Sequence, residues 1–250
     1  MPAWVGVAAF FAVFFGAGAF IFIASGRQRK RWRARPAILR ALAARRGYSV
    51  VDNPGKPSEL VPIRPLEQRA NLRQMELPVA VHGRTIDGDF TLFDVFTRVE
   101  DKIPGRHTWD DSYETFITIK SGRDWPHFEF AAIAHPKDGS IAAALVEITA
   151  ALTQSLMSER GLARVPIPQR PGYQLFVDPN ANAGAIRDAL VPLADARGPW
   201  WIGGLGDSLT LQMRESNSPT QASLVAEKDL DRFIDEAMAI ERAARSAIPK

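Results

Sequence analysis

The sequence predicts an α+β protein with an N-terminal transmembrane helix followed by an antiparallel-sheet domain with packed helices. The first observation is a run of 22 residues, Ala3 to Ala24, that carries no charge. The second is a series of alternating apolar segments separated by Gly-containing turns in the first half of the chain. The third is the alternation of helix-like and strand-like segments in the second half. Strand runs followed by mixed helices and strands are typical of the α+β class.

The uncharged run is long enough to cross a bilayer. At about 1.5 Å per residue, a helix of this length spans roughly 33 Å, and the hydrocarbon core is about 30 Å thick. A secretory signal peptide carries positive charge before its apolar run, whereas no basic residue precedes Ala3. The sequence therefore predicts an uncleaved anchor over residues 1–26.

Nine Lys and Arg residues follow the run before the first acidic residue, Asp52. Short flanking segments rich in Lys and Arg stay on the cytoplasmic side, so we expect a cell-membrane protein with its N-terminus outside and its C-terminal domain cytoplasmic. The basic segment, residues 27–47, either sets this topology or also recognises anionic lipid headgroups. The expected membrane-interface residues are Trp4, Arg27, Arg29, Lys30, Arg31, Trp32, Arg33 and Arg35.

Small residues recur on one face of the predicted anchor. Ala8, Ala12 and Gly16 are spaced four residues apart, and such faces let membrane helices approach closely. They predict helix packing, either with a membrane-protein partner or with a second copy of the chain. The alternative is that Ala and Gly are simply common in membrane helices.

Outside residues 27–46 the chain carries 22 basic and 28 acidic residues, a net charge of −6. A mildly acidic body gives no electrostatic basis for a nucleic-acid partner. The chain has no Cys, which fits a reducing compartment and excludes a thiol nucleophile.

Residues 48–136 predict an antiparallel β-rich subdomain. The clearest pattern is a hairpin in which Leu77–Ile86 and Asp89–Val99 flank an Asp87-Gly88 turn. Before it we expect a helix from Pro36 to Gly47, a strand at Tyr48–Val51 and a surface helix at Leu66–Met75. After it we expect a polar loop over residues 100–111, a strand at Tyr113–Lys120, a turn at Ser121-Gly122 and a strand at Phe128–Ala134.

Residues 137–250 predict a mixed subdomain of the order β-α-β-β-α from Tyr173 onward, reminiscent of ferredoxin-like folds. The expected elements are a helix from Asp138 or Ser140 to Gly161, a strand at Tyr173–Val177, a helix from Asn182 that Pro192 kinks or cuts, a hairpin joining Trp200–Ile202 to Leu209–Met213, and a helix from Leu224 to Ala247. Gly203–Asp207 lacks the Lys-Ser/Thr of a phosphate-binding loop, so a hairpin turn is favoured there.

Chemistry-bearing residues are concentrated in one predicted loop. His107, Asp110, Asp111 and Glu114 could hold a divalent ion or act in acid–base chemistry. The competing interpretation is a solvated loop, in which His and Asp serve turn formation. No other residue set indicates a cofactor site.

Three short segments support a resemblance: Ala44–Tyr48, Leu92-Phe93-Asp94, and Trp201-Ile-Gly with Leu209-Thr-Leu. Together with the anchor and basic flank, the chain resembles bacterial single-pass membrane-anchored proteins without an assigned activity. The resemblance covers most of the chain and implies no functional residues.

The main functional hypothesis is therefore a membrane-tethered cytoplasmic interaction or accessory module, more in keeping with a binding protein than an enzyme. One alternative is a metal-dependent or hydrolytic enzyme that uses the His107–Glu114 loop. Another is a constitutive subunit of a larger membrane complex.

Overall fold

An antiparallel sheet with helices packed on it forms the described part of the chain, in a mixed α+β arrangement. The computed structural model describes residues 29–61, 72–103, 106–132, 154, 157–168, 173–197, 200–215, 218–222 and 224–248. The predicted anchor and its small-residue face lie outside these residues. The α+β class and the antiparallel sheet are confirmed.

Among the described residues the sheet has nine strands, in the order β1-β3-β4-β5-β7-β6, with β2 beside β4, β8 beside β5, and β9 beside β8. Their bounds are β1 Ser49–Asp52, β2 Leu72–Glu76, β3 Val79–Thr85, β4 Gly88–Ile103, β5 Arg106–Ala132, β6 Ala163–Val165, β7 Tyr173–Val177, β8 Trp200–Glu215 and β9 Ser218–Ala222.

Three longer helices accompany the sheet. The basic helix covers residues 29–46, the middle helix covers Ala183–Arg197, and the C-terminal helix covers Leu230–Ala247. A short helix lies at Pro57–Leu60, and a 3₁₀ turn at Glu227–Asp229 precedes the C-terminal helix.

The three longer helices pack on one side of the sheet, which we call the helix face. Side chains alternate between the two faces of a strand, and the helix face receives Leu92 of β4, Ile117 of β5 and Leu211 of β8. These join Leu39 of the basic helix and Phe233 of the C-terminal helix in one buried core. Removal of this apolar surface from water is the main stabilising contribution to the fold.

The opposite side of the sheet, which we call the second face, has a smaller apolar cluster that includes Phe93, Phe116 and Trp201. Polar side chains are also buried in this sheet, among them Glu114 and Gln212, which contact each other. The two faces therefore differ in chemistry, and the second face is where buried polar groups concentrate.

Several predicted elements are confirmed. Strand β1, the β3–β4 hairpin and β7 occur where expected, although the hairpin turn is Ile86-Asp87, with Thr85 opposite Gly88. The C-terminal helix is also present, but it begins at Leu230 rather than at Leu224. Gly47, at φ 69°, ends the basic helix in the left-handed conformation that favours glycine.

Other predictions are wrong. Leu72–Glu76 is a strand, although Leu66–Met75 was expected to be helical. The basic helix begins upstream of Pro36, and Pro192 does not cut the middle helix, which continues to Arg197. The 100–111 loop is also wrong, because β4 and β5 remain paired from Asp89 opposite Lys120 to Ile103 opposite Arg106.

Strand β5 does not turn at Ser121-Gly122. It continues to Ala132 with register shifts against β8 between Lys120 and Phe128. Ile117 and Ile119 face the helices before the shift, and Phe128 and Phe130 do so after it. An inserted bulge residue moves the side-chain alternation from odd to even positions, which explains why the segment looks like two strands.

Strand β8 behaves in the same way, so the predicted 200–213 hairpin is wrong. Gly206 has a φ of 56° and lies opposite Trp125, within the irregular part of β5. A Cβ at Gly204 would lie 2.3 Å from the Phe128 ring, so glycine is required for that close approach. The Gly-rich run is thus a bulge that accompanies the one in β5.

Strand pairing crosses the predicted subdomain division at residue 136. Strand β5 pairs with β4 on one side and with β7 and β8 of the second half. Strands β7 and β8 are joined by the middle helix and flank β5, both antiparallel to it. The two predicted subdomains therefore contribute to one sheet.

Candidate functional site

None of the helices in the described residues is both long and apolar enough to cross a membrane. Trp4, Ala8, Ala12, Gly16 and Arg27 lie outside those residues. The first predicted interface residue that the structure describes is Arg29, at the start of the basic helix.

The remaining predicted interface residues divide between two sides of the basic helix. Arg29, Lys30, Arg31 and Arg33 are exposed. Trp32 and Arg35 are buried, with 9% and 3% of their surface accessible. Their side chains contact the sheet, whereas those of the other four are exposed to solvent.

Arg35 forms the most complete buried polar network among the described residues. Its guanidinium donates to Asp94 on β4 through Nε (2.6 Å to Oδ2) and Nη2 (2.9 Å to Oδ1), and to the Val225 carbonyl through Nη1 (2.8 Å). Thr115 on β5 donates to Asp94 (2.6 Å) and accepts from the Val225 amide (3.1 Å). The network ties the basic helix to two strands and to the segment before the C-terminal helix.

Removal of one partner from such a buried pair is strongly destabilising, by about 3–5 kcal/mol, because the other charge stays buried without compensation. The Arg35 network is therefore structural. It makes the basic helix part of the folded body.

Trp32 is fixed in a similar way. Its indole Nε1 donates to Glu76 Oε2 (3.0 Å), and its ring lies 5.9 Å from that of Phe96 and 5.8 Å from that of Tyr113. Tilted aromatic pairs at these distances are favourable. The first turns of the helix are thus held against β2, β4 and β5.

The four candidate metal ligands lie along a strand rather than in a loop. His107 to Glu114 are all within β5, and at about 3.3 Å per residue the ends of this segment are roughly 23 Å apart. A single ion cannot contact both ends at coordination distances of about 2–2.6 Å.

Asp111 and Glu114 are already bound to other side chains. Asp111 receives both Nε and Nη2 of Arg98, at 2.6 and 2.8 Å. These hydrogen bonds are the main reason that the pKa of Asp111 is lowered. Glu114 accepts from Ser112 and from Gln212, each at 2.7 Å. The side chains of His107 and Asp110 lie outside what the structure describes.

Among the described residues, no group of three or more His, Asp or Glu side chains is arranged to hold a metal ion. Asp111 and Glu114 are held by Arg98 and Gln212, respectively, so the geometry gives them roles in the sheet.

A groove of about 720 Å³ lies against the sheet near β1 and β3. Its lining includes part of a row of directly opposite residues that runs across five strands: Ser49, His82, Thr91, Thr118 and Thr210. His82 Nδ1 lies 2.8 Å from the Thr91 hydroxyl, and the Thr118 hydroxyl donates to the Leu60 carbonyl at 2.7 Å. Of this row, Ser49, His82, Thr91 and Thr118 line the groove.

The cations that line this groove have carboxylate partners. Arg84 pairs with Asp89 (2.6 Å), Lys120 with Asp207 (3.2 Å), and Arg46 with Asp231 (2.7 Å). The hydrogen bond from Arg84 is the main cause of the lowered pKa of Asp89. The groove is therefore close to charge balance, which is suited to hydrogen bonding rather than to capture of a strongly charged ligand.

His82 was not among the predicted site residues because it lies in a strand with ordinary alternation. Whether the His82 side chain reaches the groove depends on which face of the sheet the three longer helices cover. Tertiary packing decides this, and the pattern of the strand alone does not show it. The Thr91, Thr118 and Thr210 partners are distant in sequence, so only strand register brings them into line.

Comparisons with protein-family models, curated proteins and solved structures gave no match.

Proposed function

We propose that the chain is a single-pass membrane protein whose folded body is an interaction or accessory module on the cytoplasmic side. The uncharged run and the nine basic residues after it support the anchor and its orientation. The observation that carries the proposal is the packing of the basic helix into the body through Arg35 and Trp32.

Arg29 lies five positions after Ala24, with only four residues between them. At no more than about 3.5 Å per position, this stretch spans at most roughly 17 Å. Since the basic helix is also part of the core, an anchored chain would hold its body close to the membrane surface and restrict its orientation. A module held in this way presents a defined surface to partners in or near the membrane.

The contacts of Asp111 and Glu114 favour the module over the enzyme. Both carboxylates are engaged by side chains of the sheet. The groove lined by His82 belongs to the same sheet as the residues that hold the basic helix, so its position relative to that helix is also fixed.

The anchor is tested by placing charge inside the uncharged run of the full-length chain. We expect Phe14→Arg with Phe15→Arg to move the protein from the membrane fraction to the soluble fraction, because a charge at the bilayer centre costs about 2.5–3.5 kcal/mol on insertion scales. Phe14→Leu with Phe15→Leu is the matched control and should remain in the membrane fraction.

Orientation is measured with reporters fused after Lys250 in separate strains. A reporter active only in the cytoplasm should be active, and one active only outside the membrane should be silent. Soluble wild-type protein, or activity of the outside reporter alone, would reject the proposal.

A further inference from the structure

We propose that a pocket beside the first turns of the basic helix binds the phosphate of an anionic phospholipid headgroup. The pocket has a volume of about 370 Å³ and lies between the basic helix and strands β2, β4 and β5. The inference rests on the proposed anchor for the location of the pocket, and on the side chains described next for its chemistry.

Three guanidinium groups line the pocket: those of Arg29, Arg33 and Arg98. Arginine matches phosphate oxygens with paired N–H donors, which makes it well suited to this ligand. Arg98 was not in the predicted interface set, because it lies on β4, far from the basic segment in sequence. The fold brings it to the start of the basic helix.

Two carboxylates lie near these arginines, and one of them, Asp111, is bound by two of the three. Asp111 is bound by Arg98 at 2.6 and 2.8 Å and by Arg29 at 3.3 Å. Glu76 accepts from Trp32 Nε1 and from Gln74 Nε2. With both carboxylates counted against the three arginines, the site keeps a net charge of +1.

Arg33 supplies the uncompensated charge. Its side chain is exposed and forms no ion pair or hydrogen bond with another described residue. It is therefore free to donate to a phosphate that enters the pocket. Arg29, with 60% of its side chain exposed and a long contact of 3.3 Å to Asp111, is placed to share that phosphate.

Aromatic side chains form another wall. Trp32, Phe96 and Tyr113 form a cluster, and the Arg98 guanidinium lies 5.5 Å from the centre of the Phe96 ring. Burial raises the pKa of the Tyr113 hydroxyl. Aromatic residues with a polar edge are favourable at the headgroup level.

The position of the pocket selects a lipid over a free anion. Arg29 lies no more than about 17 Å along the chain from the end of the uncharged run. The polar headgroup layers add roughly 10–15 Å in total to the 30 Å hydrocarbon core. A pocket at the start of the basic helix is thus within reach of headgroup phosphates of the cytoplasmic leaflet.

The test uses the full-length chain in an uncharged detergent and counts retained lipid molecules by native mass spectrometry. Phosphatidylglycerol is the probe, and phosphatidylcholine and inorganic phosphate are the comparison arms. We expect one phosphatidylglycerol per chain, roughly tenfold weaker retention by Arg33→Gln, and wild-type retention by Arg31→Gln. Arg31 is the matched control because it is exposed on the same helix but does not line the pocket.

Three results would overturn the proposal. The first is an equal loss of bound phosphatidylglycerol in Arg33→Gln and Arg31→Gln, which indicates nonspecific charge attraction. The others are retention of phosphatidylcholine as strong as that of phosphatidylglycerol, and displacement of phosphatidylglycerol by an equal concentration of inorganic phosphate. If Arg33→Gln loses bound phosphatidylglycerol and Arg31→Gln does not, the pocket is supported, whatever the membrane fractionation of the Phe14 and Phe15 variants shows. Normal membrane fractionation with unchanged retention by Arg33→Gln rejects the pocket and leaves the anchor standing.

Discussion

Two helices each place a buried charged side chain against the sheet, and the two charged groups differ in how many of their hydrogen bonds are formed. The basic helix contributes Arg35, whose three nitrogen atoms all donate to partners in the body. The C-terminal helix contributes Glu241, which is fully buried. Neither carboxylate oxygen of Glu241 has a hydrogen-bond partner among the described residues.

Charged groups surround Glu241, but none among the described residues is oriented to form a hydrogen bond with its carboxylate. The nearest cation is Arg245, one turn later on the same helix, with its Nε 3.5 Å from Oε1. Ser121 and Arg123 of β5 and Asp87 of the β3–β4 turn also influence the carboxyl group. Burial outweighs the stabilising neighbours and raises its pKa.

The comparison shows that burial alone does not define the role of a charged residue. A charge whose partners complete its hydrogen bonds fixes the position of its helix. A carboxylate that is buried without such partners makes the folded state sensitive to pH. The basic helix therefore has the stronger electrostatic attachment to the sheet, which matters because that helix follows the proposed anchor.

The largest expected effect on stability is at Arg35, whose hydrogen bonds are complete. We expect Arg35→Met to lower the free energy of unfolding by about 3–5 kcal/mol, because Asp94 is then left buried and charged. Arg33→Met is the matched control on the exposed side of the same helix and should change stability by less than about 0.5 kcal/mol. Urea unfolding of the full-length chain in mild detergent measures both, and equal effects would show that Arg35 is not specially attached.

A partly buried pair is expected to show an intermediate effect. Asp111→Asn should destabilise the chain by about 1–2 kcal/mol at pH 7, since it removes the charge-assisted bonds from Arg98. The pKa of Asp111 is lowered in the folded state. Its stabilising contribution is therefore present above the ordinary aspartate pKa and is lost as the pH falls through the folded value.

Unfolding of wild type and Asp111→Asn at a series of pH values checks that sign. The difference between the two proteins should shrink as the pH falls from the ordinary aspartate pKa through the folded pKa. A difference that persists unchanged at the lowest pH would show that the effect arises from packing rather than from the charge.

The smallest expected effect on stability is at Glu241, whose carboxylate oxygens lack hydrogen-bond partners among the described residues. The pKa of Glu241 is raised in the folded state, so the folded chain binds the proton more tightly than the unfolded chain. Stability should then fall as the pH rises from the ordinary glutamate value through the folded pKa. Glu241→Gln removes that pH dependence and should stabilise the chain by about 1 kcal/mol above this range.

The measurement is the pH dependence of unfolding for Glu241→Gln, with Glu236→Gln as a control at a less buried position of the same helix. A wild-type curve that matches the Glu241→Gln curve over pH 4–8 would show that the carboxylate is satisfied in solution.

The sequence predicted elements whose patterns are local. The β3–β4 hairpin follows from apolar alternation on both sides of a short turn, and the C-terminal helix follows from its apolar stripe. The paired bulges in β5 and β8 were missed because Gly122 and Gly206 have the same local signature in a bulge as in a turn. Only pairing between the two strands distinguishes the alternatives.

The candidate sites were less accessible to sequence reasoning for a related reason. Arg35 and Arg33 are two residues apart in one basic run, yet one is buried and the other exposed. Their difference depends on Asp94, which lies in a strand distant in sequence. In the same way, the lipid pocket requires Arg98 and Tyr113, and the groove requires alignment of His82 with Thr91 and Thr118.

A double-mutant cycle at Arg35 and Asp94 tests most directly whether the basic helix belongs to the folded body. The free energy of unfolding is measured for the full-length wild type, Arg35→Met, Asp94→Leu and the double variant. A specific buried pair predicts a coupling energy of about 2–3 kcal/mol between the two side chains. The double variant should then lose less stability than the two single variants lose together. Coupling below about 0.5 kcal/mol would mean that the two side chains act independently, and would contradict the attachment of this helix through Arg35.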